Sequence, residues 1–123
     1  MRRETYAGDP PIPGLPQAMK VGDTIYVSGT TAYVEGEAPS PDMGDQMRVA
    51  YARIARSLAH FGAGLSDVVE QTVFVTDMDA ALAARHVRAE VYGDTLPTSA
   101  TVGVTALGRP GLMVEIKVSA RIG

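Results

Sequence analysis

Period-two alternation is clearest at the C-terminal end of the chain. Leu112, Val114, Ile116, Val118 and Ala120 fall on one face, and Met113, Glu115, Lys117, Ser119 and Arg121 on the other, which predicts a half-buried strand. Val102, Val104 and Ala106 alternate with Thr101, Gly103 and Thr105, predicting a preceding strand over 101–106. The intervening Gly108-Arg109-Pro110-Gly111 holds residues that permit or impose turn dihedrals, so the two strands read as a hairpin.

The same pattern orders the rest of the chain. An edge strand is expected over Arg3–Tyr6. Asp9–Pro16 holds four prolines and a glycine and must be a stiff loop, either a connector or one wall of a pocket. Met19–Val21 and Thr24–Ser28 flank Gly22-Asp23 as a two-residue hairpin, with Gly29 at the strand end. Residues 30–39 read as a loop or frayed strand. Met43, Met47, Ala50, Tyr51, Ile54, Leu58 and Phe61 recur at steps of three and four, predicting an amphipathic helix. Ser40 and Pro41 are its expected N-cap and first position, and Gly62 and Gly64 its stop. Val68–Val75 reads as a central strand. A second helix is expected from Asp77-Met78-Asp79 through Tyr92, capped by Asp77 or Asp79. The order β-β-β-α-β-α-β-β predicts an α+β sandwich, one mixed β-sheet against two helices.

Composition narrows the function classes. At 123 residues the chain is expected to form a single domain, 1–123, with enough wet surface that oligomerisation would help it. A net charge of -3 argues against nucleic acid as a partner. With no cysteine there is no disulfide framework and no thiolate nucleophile or ligand. No apolar run reaches membrane-spanning length, and no apolar stretch follows Arg2 and Arg3, so no membrane association and a cytoplasmic setting are expected.

Candidate chemistry is sparse. His60 and His86 each sit in a helical pattern without a partner at ligand spacing, so no metal site is expected. No Gly-rich phosphate loop and no GxSxG elbow occurs. Arg48, Arg53, Arg56, Arg85 and Arg88 read as solvated helix residues, and Met43 and Met47 as core. Glu115 stands out on the polar face of its strand. It is either solvated or, if a partner subunit covers that face, a carboxylate able to handle protons near neutral pH.

Four stretches then change the picture. IYVSG (25–29), SDVVEQTVFVTDM (66–78), Pro97 followed by Val102-Gly103-Val104, and VEIKVSA (114–120) occur in this order and at these spacings. From about residue 12 onward the chain resembles the Rid/YjgF family of enamine/imine deaminases, also labelled L-PSP endoribonucleases. The resemblance implies a chorismate-mutase-like fold and a homotrimer whose sheets form a central barrel, with three clefts between subunits. It implies hydrolysis of reactive enamines or imines to carbonyl compounds plus ammonia, with no metal and no cofactor. In such proteins an arginine two residues after the motif proline clamps the substrate carboxylate, and a glutamate in the VEI block positions water. A Ser-Gly pair and an aromatic residue of the proline-rich loop complete the pocket.

Carried over residue by residue, the match is mixed. Ser28-Gly29 and Glu115 are present. Ser99 stands where the clamping arginine is expected, Leu15 where the loop aromatic is, and Arg85 where an asparagine is common; Thr101 is the next hydrogen-bonding position. A serine cannot replace a planar bidentate guanidinium. The resulting expectation is an arginine-less Rid-like hydrolase with an atypical substrate. Glu115 would activate water, while Ser28, Gly29, Ser99, Thr101 and Leu15 line the cleft; Arg85 is either solvated or reaches in from a neighbouring subunit to supply the missing charge. The alternative is a trimer that binds a small metabolite or protein partner without turnover.

Overall fold

A computed structural model describes residues 1–123. Six strands form one sheet: β1 (Glu4–Tyr6), β2 (Ala18–Val21), β3 (Thr24–Thr31), β4 (Val68–Val75), β5 (Thr98–Gly103) and β6 (Val114–Arg121). Their order is β1-β2-β3-β6-β4-β5, antiparallel throughout except for the parallel β4–β5 pair. Three helices accompany it: α1 (Met43–His60), α2 (Met78–Ala83) and α3 (His86–Tyr92). α1 packs on β3 and β6, and α3 packs on α1. The mixed α+β architecture is the one the alternation predicts. No helix is long and apolar enough to cross a membrane.

The core lies between the sheet and α1. Ile25, Val27, Val114, Ile116, Val118 and Ala120 rise from the sheet to meet Met43, Met47, Ala50, Tyr51, Ile54 and Leu58 of the helix, all buried. Fully burying one such aliphatic side chain is worth roughly 1.5–3 kcal/mol. α1 stops where Gly62 adopts φ 76°, with the Gly62 and Ala63 N–H groups donating to Ala59 O and Leu58 O. Its N-cap is Asp42, whose carboxylate accepts from the Asp45 N–H at 2.9 Å. The expected cap, Ser40, lies two residues earlier. Its hydroxyl accepts the Asp42 N–H and donates to Asp45, so it orders the approach to the helix. A carboxylate at this end also complements the helix dipole, which a hydroxyl does not.

The expected C-terminal hairpin does not form. β5 begins at Thr98, three residues before the predicted start, and pairs in parallel with β4, Thr101 opposite Val73. β6 instead lies between β3 and β4. The cause is the difference in apolar content. The four core-facing residues of β6 are no more than 2% exposed, so this strand belongs in the middle of the sheet beneath α1. β5, exposed along its whole length, suits an edge. A parallel β4–β5 pair also needs a helical crossover, which α2 and α3 supply.

The second helix is divided. Ala81, Ala84 and Val87 are buried at steps of three. The chain tightens to follow them, with Arg85, Val87 and Arg88 N–H groups bonding to carbonyls three residues back. Asp77 caps α2 through the Ala80 N–H at 3.0 Å.

Gln46, on the buried face of α1, ties down the segment that leads into β6. Its amide nitrogen donates to Ser40 O at 2.7 Å and Gly111 O at 2.8 Å, and its oxygen accepts from the Met113 N–H at 2.8 Å. Gln46→Ala is expected to lower unfolding free energy by about 2–4 kcal/mol by stranding these backbone groups. Urea denaturation measures this, and a loss below about 1 kcal/mol would show that water replaces the side chain.

Candidate functional site

Glu115 lies opposite Thr31 of β3 and Phe74 of β4. Because its neighbours Val114 and Ile116 point into the core, the pleat turns Glu115 to the sheet face directed away from the helices. It is half-buried and takes part in none of the chain's ion pairs. β3 does not end at Gly29 as its glycine suggests. It continues to Thr31, with a register shift between Val27 and Thr30. The carboxylate lies against Gly29, where a Cβ would sit 2.6 Å from Glu115 Oε2 and 3.0 Å from Cδ. A Cβ here would have to displace this side chain, so glycine lets the carboxylate lie directly against the β3 backbone.

Ser28 joins the proline-rich loop to the same place. Its hydroxyl donates to Pro16 O at 2.6 Å and its N–H to Gln17 O at 2.9 Å. Leu15, next to Pro16, is exposed on that loop. Ser28, Gly29, Glu115 and the Leu15 segment are therefore tied to the same stretch of β3.

Ser99 and Thr101 are not part of that group. Both point to the helix side. The Ser99 hydroxyl accepts from Gln71 Nε2 at 3.0 Å, and Gln71 Oε1 accepts from Tyr51 at 2.7 Å and Tyr92 at 2.9 Å. Gln71 is 1% exposed, so one buried amide satisfies two phenols and the β5 hydroxyl. Burial pushes the Tyr51 phenol up, and for Tyr92 burial together with the adjacent Tyr51 does so strongly. Thr101 lines a small crevice with Arg85, Arg88, Tyr51 and Met47. Arg85 thus stands beside Thr101 of its own chain. Within one subunit the sheet separates Glu115 from Ser99, Thr101 and Arg85.

No group of three or more His, Asp or Glu side chains converges as metal ligands would. His60 stacks on Tyr6 with ring centroids 4.4 Å apart. His86 does have a carboxylate at helical spacing, Glu90, 4.0 Å away, but Glu90 is taken up by a two-pronged contact with Arg48 at 2.9 Å for each bond. That hydrogen-bonded guanidinium holds the Glu90 carboxyl below its ordinary range. Arg48 is therefore paired rather than free, and Arg53 is half-buried with Nη1 donating to Thr31 O at 2.7 Å. Sequence reasoning also missed Gln71 and Gln46. The available signal was a lone amide at an inward position of an otherwise apolar face.

Comparison with known proteins places these features in a wider set. The family model described as Endoribonuclease L-PSP matches residues 9–122. The chain is 35% identical over 107 residues to the RutC family protein YjgH of Escherichia coli (strain K12), covering 85% of this chain and 80% of that one. It is 29% identical over 109 residues, 87% of this chain and 84% of the other, to a Dermatophagoides farinae protein named 2-iminobutanoate/2-iminopropanoate deaminase. The crystal structure of Rv2704 from Mycobacterium tuberculosis, described as a YjgF/YER057c/UK114 family member, superposes with a TM-score of 0.85 at 32% identity. It covers 98% of this chain and 100% of that one.

Gly29→Ala is expected to displace the Glu115 carboxylate while the fold persists. The Glu115 Cδ resonance should move, and an unchanged resonance would refute the contact. Raised phenol pKa values make the protonated tyrosines part of the fold's stability. That contribution is complete below the unfolded tyrosine value of about 10 and is lost as pH rises through the higher folded values. The urea midpoint of the native chain should accordingly fall above about pH 10, and fall less steeply in Tyr92→Phe; parallel profiles would exclude Tyr92 as the source.

Proposed function

The chain belongs to the Endoribonuclease L-PSP family, which includes the YjgF and Rid proteins, and on that premise we propose that it hydrolyses a reactive enamine or imine to a carbonyl compound and ammonia. The observation that carries the reading is the Glu115 carboxylate, held against Gly29 on the helix-free face of the sheet and free of any cation. A carboxylate so placed can accept a hydrogen bond from water and take its proton.

The enamine first tautomerises to the imine. Water oxygen attacks the imine carbon as Glu115 removes one of its protons, and the C=N π pair moves to nitrogen. Glu115 returns that proton to nitrogen, giving the carbinolamine. It then takes the hydroxyl proton and passes it to nitrogen as the C–N bond breaks with its electron pair, so the carbonyl forms and ammonia leaves. In this reading the Gly29 backbone, against which Glu115 lies, and the adjacent Ser28 orient the substrate.

The clamp is where this chain departs from its relatives' expected pattern. Ser99 carries no charge, and its hydroxyl is engaged by Gln71. Losing a charge-assisted contact costs about 1.5–3 kcal/mol, so the substrate is one that does not depend on a carboxylate held at position 99. The Arg85 and Arg88 side chains beside Thr101 lie across the sheet from Glu115. They can serve a substrate at Glu115 only if a second copy brings its own helix-side crevice to the first. The proposed homotrimer does this by covering the exposed face that carries Tyr26, Val102 and Glu115. The engagement of Ser99 in a structural hydrogen bond also favours a second reading, a trimer that binds a metabolite without turnover.

Ammonia release from freshly generated 2-aminoacrylate and from cyclic imines tests both. Turnover of a cyclic imine by the native chain, reduced about 10²-fold or more in Glu115→Gln, is the expected result for a general base. Equal rates in the two proteins would remove Glu115 from the chemistry, and no release from any imine would leave the binding reading.

A further inference from the structure

On the helix side of the sheet a groove of about 270 Å³ opens between the N-terminal segment, residues 33–35 and α1. Its volume lies just below the ~300–1,000 Å³ of sites for drug-sized ligands. Ile12, Val34 and Val49 give it apolar walls, and Arg53 and Arg56 project from α1 at its rim.

The arginines are arranged unusually. Arg53 is half-buried, and only its Nη1 is engaged, by Thr31 O at 2.7 Å. Neither Arg53 nor Arg56 belongs to an ion pair. Asp9 and Glu35 also line the groove, but both are exposed and lie outside ion-pairing distance of the two arginines. Burial, with Arg56 adding repulsion, pulls Arg53 below its ordinary pKa. A partly desolvated guanidinium with open donors, a second guanidinium beside it and apolar walls below matches an anion carried on an apolar body. The planar fork of arginine fits a carboxylate best.

We infer that this groove binds a small organic acid, its carboxylate held by Arg53 and Arg56 and its apolar body resting on Ile12, Val34 and Val49. The site borders α1, whereas Glu115 faces away from the helices, so the assignment does not rest on the hydrolase reading. Thr31, whose carbonyl holds Arg53, is also the cross-strand neighbour of Glu115.

The test is an NMR titration of the full chain with phenylacetate, with neutral phenylacetamide as the matched control. Phenylacetate should shift Tyr33, Val34, Val49 and Ala52 saturably. Phenylacetamide, and phenylacetate with Arg56→Gln, should bind about tenfold or more weakly, as the loss of a charge-assisted contact requires. Val49→Trp should abolish binding by filling the groove. Because Arg56 is exposed, Arg56→Gln remains informative if the tryptophan variant fails to fold. Equal affinity for acid and amide, shifts centred on Glu115 or on Thr98–Gly103, or no saturable shift up to the solubility limit would overturn the inference.

Discussion

Much of the structure depends on the pleat of one strand. β6 lies between β3 and β4, and alternation sends its side chains to opposite sides of the sheet. Val114, Ile116, Val118 and Ala120 carry the core against α1. Glu115 goes the other way and meets Gly29. A one-residue slip would bury the carboxylate and expose the aliphatics, so packing energy holds the register that positions the site.

Buried amides fix what apolar packing leaves free. Hydrophobic burial has no direction, so it cannot specify where the 108–113 connection lies or how β5 seats on β4. Gln46 fixes the first through three backbone hydrogen bonds. Gln71 fixes the second by joining two tyrosines to Ser99. In a low-dielectric interior each of these bonds is costly to break, which confers specificity as well as stability. Ser99 is thus a structural partner in this chain, whatever residue the position carries elsewhere.

The two faces of the sheet have different chemistry. The helix side holds tyrosines, the Arg85–Arg88 crevice and the Arg53–Arg56 groove. The other side holds Glu115, with Lys117 and Arg121 farther along the same face of β6 and the exposed Tyr26 and Val102 on other strands of the sheet. A catalytic cleft using both kinds of group has to be assembled from more than one subunit.

Local sequence was enough to determine α1, the β2–β3 turn and β6. The three-and-four spacing of α1, the Gly22-Asp23 turn and the alternation of β6 each act over a few residues, and each is found where its pattern lies. Motif order further identified the family and picked out Glu115 and Gly29. Tertiary structure alone decided strand order, which follows from competition among strands for the covered centre of the sheet. It placed β5 at the edge, broke the expected hairpin and set Ser99 and Thr101 on the side opposite Glu115. It also decided that Gly29 gives the Glu115 carboxylate its place, because the side chain that a Cβ would displace comes from a residue 86 positions away in the chain. No local pattern records such a contact, since it exists only once β3 and β6 are paired.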